Sequence, residues 1–277
     1  MSARRTAFVL GGGGRWGAVE VGMIRALEEA AIAPDLILGT SIGAFNGSVI
    51  ADMPGPEGVE RLISLWEEIA TTGVLRGGAL ERIKNVATFR PAIHTTSELR
   101  AILEHLYPGE TMIEDLATPF QCVAASIERS TEHWFTEGPL VDALLASSAV
   151  PALFPPVKIG NEHFYDGGLV NSVPVGRAVE LGAKVIYVLQ VGRMESRLRA
   201  PQRLHESALI SFEIARRSRF SAALENLPAD IELHVLPSGN PLAFDDRRQL
   251  RWRDTTSTAE LAEGAYIASK AYLNGLV

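Results

Sequence analysis

Leu36-Ile37-Leu38-Gly39-Thr40-Ser41-Ile42-Gly43-Ala44 runs out of a short apolar stretch and into a series of small residues that ends near Ala51. That pattern predicts a buried strand, a tight turn and a helix, the context in which G-x-S-x-G sets a serine on a sharp bend. Gly39 and Gly43, two residues to either side, leave space where nearby backbone would block a side chain. The turn is expected to expose Ser41 at the helix N-terminus, where free N–H groups and the helix dipole favour negative charge developing beside it. A plain strand-to-helix turn without chemistry is the competing reading of those five residues taken alone.

Upstream, Thr6 to Leu10 reads as a buried parallel strand. It feeds Gly11-Gly12-Gly13-Gly14-Arg15-Trp16-Gly17 and then a helix from about Ala18 to Ala30. Val19, Met23, Ala26, Leu27 and Ala30 recur at helical spacing, with Glu20, Glu28 and Glu29 set off from them. With the second strand at Pro34 to Leu38, the glycine loop and the serine turn fall at the carboxyl ends of neighbouring strands, the edge at which open α/β sheets bind ligands.

Downstream the pattern turns helical from about 57 to 107. Val59, Leu62, Ile63, Trp66 and Ile69 make one stripe, Leu80, Ile83 and Val86 a second, and Leu99, Ile102, Leu103 and Leu106 a third. This insert reads either as a lid over the site, with Trp66 and Leu62 offered to lipid, or as core packing, and amphipathic stripes usually face their own domain. Phe120 to Ile127 and His133 to Phe135 form a hairpin expectation that turns at Glu128-Arg129-Ser130. Leu140 to Ser147 reads as a helix, and the prolines of Ala146 to Pro156 mark an ordered bend. Short extended pieces at Val157 to Ile159 and His163 to Tyr165 lead to Asp166-Gly167-Gly168. A helix to Leu181, a strand from Lys184 to Val191, a long helix from Arg203 to Leu227, a strand from Ile231 to Leu236 and a closing helix from Thr255 to Leu273 complete the chain. The arginines between Arg193 and Arg219 suit a solvated helix face or an anionic membrane surface.

With 277 residues, 47% hydrophobic and 21% charged, the composition is that of a folded α/β protein, and a net charge of −7 gives no footprint for nucleic acid. The lone Cys122 lies in an apolar run and reads as a core thiol. No run reaches the roughly 18 to 20 apolar residues of a membrane span, and the N-terminus lacks a signal-peptide core, so the expected location is cytoplasmic.

Three features carry the chemistry. Gly12-x-Gly14-x-x-Gly17 matches the dinucleotide fingerprint on its face, but that reading needs an acidic residue at the end of the second strand, where Gly39-Thr40-Ser41 stands instead. The alternative is a set of glycine N–H groups converging on an oxyanion. Ser41 is the second feature and Asp166 the third. A serine nucleophile needs a base, and neither His205, which opens an arginine-bearing helix, nor His234, inside the last strand, occupies the loop after a strand that a hydrolase triad would use.

In this order and at this spacing, the glycine-rich loop, the early G-x-S-x-G, Ala-Ser-Ser-Ala-Val-Pro-Ala-Leu-Phe-Pro-Pro and Asp-Gly-Gly resemble the patatin-like phospholipase family, from Thr6 to at least Leu189. The resemblance implies a serine acyl hydrolase with a Ser-Asp dyad, cleaving carboxylic esters of lipids as a phospholipase A or lysophospholipase. Ser41 would be the nucleophile, Asp166 the base, and Gly12, Gly13 and Gly14 the oxyanion donors, with Gly17, Gly39, Gly43, Gly167 and Gly168 shaping the motifs. One departure stands out. Family loops usually carry a basic residue directly before the last glycine, whereas here Trp16 precedes Gly17 and Arg15 sits one residue early.

The expected fold is therefore a single α/β domain over 1–277, a three-layer sandwich with a mainly parallel sheet. Its core covers about 6–190, its helical insert about 57–107 and its C-terminal helices and strand about 203–275. The expected partners are a lipid or ester substrate and, transiently, a membrane surface; no metal or cofactor is called for, since no cluster of ligand residues is present. The rival readings are a catalytically silent lipid-binding protein and a dinucleotide-binding oxidoreductase.

Overall fold

A computed structural model describes residues 4–72, 96–151, 153–191, 204–239 and 258–276, together with 198, 200 and 201. Leu80, Ile83 and Val86, the second stripe of the helical insert, lie outside the described residues, as do Thr255, Thr256 and Ser257 at the start of the expected last helix. The strands are β1 (Thr6–Leu10), β2 (Leu36–Thr40), β3 (Phe120–Ser126), β4 (Thr131–Phe135), β5 (Val157–Ile159), β6 (Glu162–Asp166), β7 (Val185–Leu189) and β8 (Glu232–Val235). The helices are α1 (Ala18–Glu29), α2 (Ile42–Asp52), α3 (Pro56–Thr72), α4 (Ser97–Leu106), α5 (Leu140–Ser147), α6 (Val175–Glu180), α7 (Leu204–Glu225) and α8 (Thr258–Asn274).

Among the described residues the eight strands form one sheet in the order β5-β6-β3-β2-β1-β7-β8, with β4 paired to β3 off that path. The run β3-β2-β1-β7-β8 is parallel, whereas β4, β6 and β5 join antiparallel. Parallel strands covered on both faces should read as continuous apolar runs, and β1 and β2 do. Phe8, Leu10 and Ile37 pack on one face with α1, α2, α3 and α5, while Ala7, Val9, Leu36 and Leu38 pack on the other with Val175, Ala178 and Phe220 of α6 and α7. These two cores on either side of a sheet make the three-layer sandwich.

Ends and faces differ from expectation in places that bear on the site. β2 continues through Gly39 and Thr40 rather than stopping at Leu38, so the serine turn follows the strand without a linker. The first stripe of the insert turns inward: Leu62 and Trp66 of α3 are 0% and 3% exposed, which corrects the lipid-facing reading. Glu20 is also fully buried, and Ala30 is exposed. α1 is enclosed by the sheet, α2, α3 and α8, so part of its polar face is sealed against other helices instead of water. Cys122 is buried in the sheet, and its surroundings push the thiol pKa up, leaving it an inert core residue.

Candidate active site

Ser41 caps α2 with φ 55° and ψ −123°, a conformation that non-glycine residues rarely hold. Two close approaches force the bend. A Cβ on Gly39 would collide with the backbone of Ala44, and one on Gly43 with the carbonyl of Leu10 at the end of β1. The flanking glycines therefore let the helix start immediately beside two strands. The strained turn is fixed by Ser147 at the end of α5: Ser41 N–H donates to Ser147 Oγ at 2.9 Å, and that hydroxyl donates to Val123 O at 2.7 Å. Thr40 Oγ1 donates to Asn171 O at 2.8 Å on the other side.

Ser41 is 7% exposed, so the expectation of an exposed hydroxyl is corrected. The loops after β1, β6 and α5 close around it. Asp166, at the end of β6, is 2% exposed. Its N–H donates to Ala149 O at 2.9 Å, and its Oδ1 accepts from Gly168 N–H at 2.7 Å. Oδ2 is sealed from water without a well-formed hydrogen bond. Burial pushes the Asp166 pKa up to about 6, against the opposing pull of the Ser41 hydroxyl and the Gly168 N–H. The two side chains thus meet in a loose approach rather than a fully formed hydrogen bond. In catalytic sites such contacts commonly tighten only around a substrate.

The glycine loop lies across Ser41. A methyl group added to Gly12 would sit 3.5 Å from Ser41 Cβ and 3.5 Å from Ser172 Oγ. Gly11 N–H donates to Leu189 O at 2.9 Å and Gly12 N–H to Ser172 O at 3.0 Å. The Gly12 N–H is thus engaged in this structure, because the chain after Asp166-Gly167-Gly168 runs back along the loop. Among the described residues, no backbone acceptor is bonded to the N–H of Gly13 or Gly14. Gly14 has φ +57°, which favours glycine, and Gly13 is packed so closely under Val191 that a Cβ would collide with it.

The far end of the loop is held by a buried polar bridge. Asn46 of α2 donates from Nδ2 to Gly17 O at 2.9 Å and to Glu20 Oε2 at 2.7 Å, and its Oδ1 accepts from Trp66 Nε1 at 2.9 Å. Burial keeps the Glu20 pKa well above the usual carboxylate range, with the Asn46 hydrogen bond opposing it. Asn46 lies on the helix that Ser41 caps, so the loop end is tied to the same element as the serine turn. Gly167 packs against the carbonyl of Val123, so it too is a position without room for a side chain.

The structure brings Ser41, Asp166, Gly12 and Gly168 together, with Gly39, Gly43 and Gly167 shaping the close packing. His234 lies elsewhere, stacked on Tyr187 with centroids 4.8 Å apart. The sequence reading missed Ser147, Asn171, Ser172, Asn46 and Arg216, whose Nη1 donates to Gly12 O at 3.1 Å. Ser147 fell inside a quoted motif and could have been singled out there; the others carry no local signal.

Over 197 residues the chain is 32% identical to lysophospholipase nte1 of Aspergillus terreus, covering 70% of this chain and 12% of that protein. It is 30% identical over 195 residues to patatin-like phospholipase domain-containing protein 7 of Rattus norvegicus, covering 69% of this chain and 14% of that protein. The chain thus spans only a small part of the length of these relatives. The crystal structure of VipD from Legionella pneumophila shares the fold, with a TM-score of 0.55 at 14% identity over 98% of this chain and 67% of that one. The family model for patatin-like phospholipase matches residues 8–179, from β1 through the serine turn and Asp166 to α6, and the chain belongs to that family.

Proposed function

We propose that the protein is a serine acyl hydrolase that cleaves carboxylic esters of lipids, with Ser41 as nucleophile and Asp166 as its base. The observation that carries this reading is the placement of a strained, helix-capping Ser41 beside a sealed Asp166 whose pKa is raised to about 6. A carboxylate at an ordinary pKa is a weak base for a hydroxyl, and drying it strengthens it while leaving it largely ionised at neutral pH.

Asp166 takes the Ser41 proton as Oγ attacks the ester carbonyl. The oxygen that becomes negative is met by the N–H groups of Gly13 and Gly14 and by the first turn of α2. Collapse expels the alcohol, which recovers the proton from Asp166, and a water activated by the same carboxylate then hydrolyses the acyl group from Ser41.

Family membership supports a lipid ester, and the names of the similar proteins favour a lysophospholipid as substrate. The test is release of fatty acid from lysophosphatidylcholine by wild type, Ser41→Ala and Asp166→Asn. Turnover by wild type that both substitutions reduce by several orders of magnitude is expected. Turnover that survives Ser41→Ala would contradict the reading.

A further inference from the structure

Arg216 lies on α7, beyond the residues that the family model matches, yet it is only 6% exposed and reaches the glycine loop. Its Nη1 donates to Gly12 O at 3.1 Å, its Nη2 donates to Glu213 at 3.1 Å, and its Nε is buried without a partner. Glu213 also accepts from Arg217 at 3.3 Å, which ties the carboxylate to the helix. A guanidinium taken from water is costly unless its donors are used. One of those donors is used here on a backbone carbonyl next to Ser41.

In a trans peptide, the C=O of one residue and the N–H of the next point to opposite sides. No cis peptide occurs among the described residues. A bond that fixes Gly12 O therefore also fixes the direction of Gly13 N–H. The preceding peptide is fixed as well, by Gly12 N–H on Ser172 O at 3.0 Å. With that donor committed, Gly13 is the first glycine after β1 with an N–H left to offer.

We infer that Arg216 is a positioning residue for the oxyanion hole. By gripping the Gly12 carbonyl it holds the Gly12–Gly13 peptide so that the Gly13 N–H faces the oxygen of an acyl group on Ser41. This rests on the hydrolase reading above. Rotation of that one peptide would present a carbonyl oxygen where negative charge develops and turn attraction into repulsion. Glu213 holds the second arm of the guanidinium, so the grip comes from a fork anchored at both ends.

The experiment compares wild type, Arg216→Met and Arg216→Lys, each checked by thermal melting. It measures kcat and KM on a soluble p-nitrophenyl ester and the rate at which an alkyl fluorophosphonate labels Ser41. Arg216→Met keeps the apolar stem and removes the donors; kcat and the labelling rate should fall about 100-fold, with KM within about threefold of wild type. Arg216→Lys cannot hold Gly12 O and Glu213 with a fork and should fall about tenfold in kcat.

A folded Arg216→Met with wild-type kcat and labelling overturns the inference, as does a loss confined to KM. Should Arg216→Met not fold, wild-type kcat in Arg216→Lys overturns it instead. Wild type that neither turns over ester nor is labelled at Ser41 overturns the hydrolase reading, and this inference with it; labelled wild type beside unaffected Arg216 variants removes this inference alone.

Discussion

Thr40 and Asp166 occupy consecutive rungs on one edge of β3, Thr40 opposite Val123 and Asp166 opposite Ala124. Because β4 covers residues 122 to 126 of β3 from one side, β2 and β6 must share the other. The last residue of β2 therefore abuts the last residue of β6, and the turn at Ser41 opens directly above Asp166. Sheet register brings the two strand ends together, register being the most rigid ruler a fold has, and the strained turn held by Ser147 completes the approach.

Removing the Asp166 charge should separate stability from activity. Burial raises the folded pKa from 3.8 to about 6. Below pH 3.8 the carboxyl is neutral in both states and costs nothing; between there and about pH 6 the unfolded chain ionises while the folded one resists, and stability falls. A pKa raised by roughly two corresponds to about 3 kcal/mol of stability lost above that range. Asp166→Asn should thus be more stable than wild type by about 2 to 3 kcal/mol at pH 8 and about equal to it at pH 4, while losing turnover. Denaturant melts at both pH values check this, and an Asn variant less stable at pH 8 would contradict it.

The same shift sets the pH profile. A base that must be ionised makes kcat/KM rise tenfold per pH unit below its pKa and level off above it. The rise should centre near pH 6 in the free enzyme. A soluble ester assayed from about pH 4.5 to 8.5 reads this directly, and a profile already flat at about pH 5 would show that burial does not govern the base.

Ser147→Ala removes the side-chain acceptor of the Ser41 N–H and breaks the link to Val123. A buried donor left unpaired costs about 1 to 3 kcal/mol, and the turn at φ 55° loses one of the contacts that hold it. Loss of that stability together with a kcat reduction of about tenfold or more is expected from calorimetry and ester kinetics. A full kcat in the variant would mean that Gly39 and Gly43 alone enforce the bend.

Asn46→Leu should act on the loop from behind. It leaves Glu20, Gly17 O and Trp66 Nε1 without their shared partner in a sealed site. Several unsatisfied buried groups predict a loss of about 3 kcal/mol or more and an enlarged drop in kcat relative to KM. Unchanged melting would show that water takes over the role of the amide.

Much of this was legible in the chain itself. β1 and α5 begin and end where the apolar runs do, and the hairpin turns at Glu128-Arg129-Ser130, because these boundaries are set by local residues. The turn at Ser41 was legible because a sharp strand-to-helix bend demands glycines at fixed offsets, whereas Asp166 was given its role only by the family resemblance. What was not legible depends on distant chain. Arg216 meets Gly12 across 204 positions, Ser147 meets Ser41 across 106, and Ser172 uses a backbone carbonyl that any residue type would supply. Trp66 was left between lid and core for a related reason: an amphipathic stripe states that one face is buried but not what buries it, and here it is Asn46 and the core.

Whether Ser41 is an activated nucleophile is tested most directly by intact-mass spectrometry after incubation with an alkyl fluorophosphonate. Wild type should gain one phosphonyl adduct, and Ser41→Ala, folded to the same melting temperature, should gain none. An unlabelled wild type, or an adduct that persists in Ser41→Ala, would contradict the account.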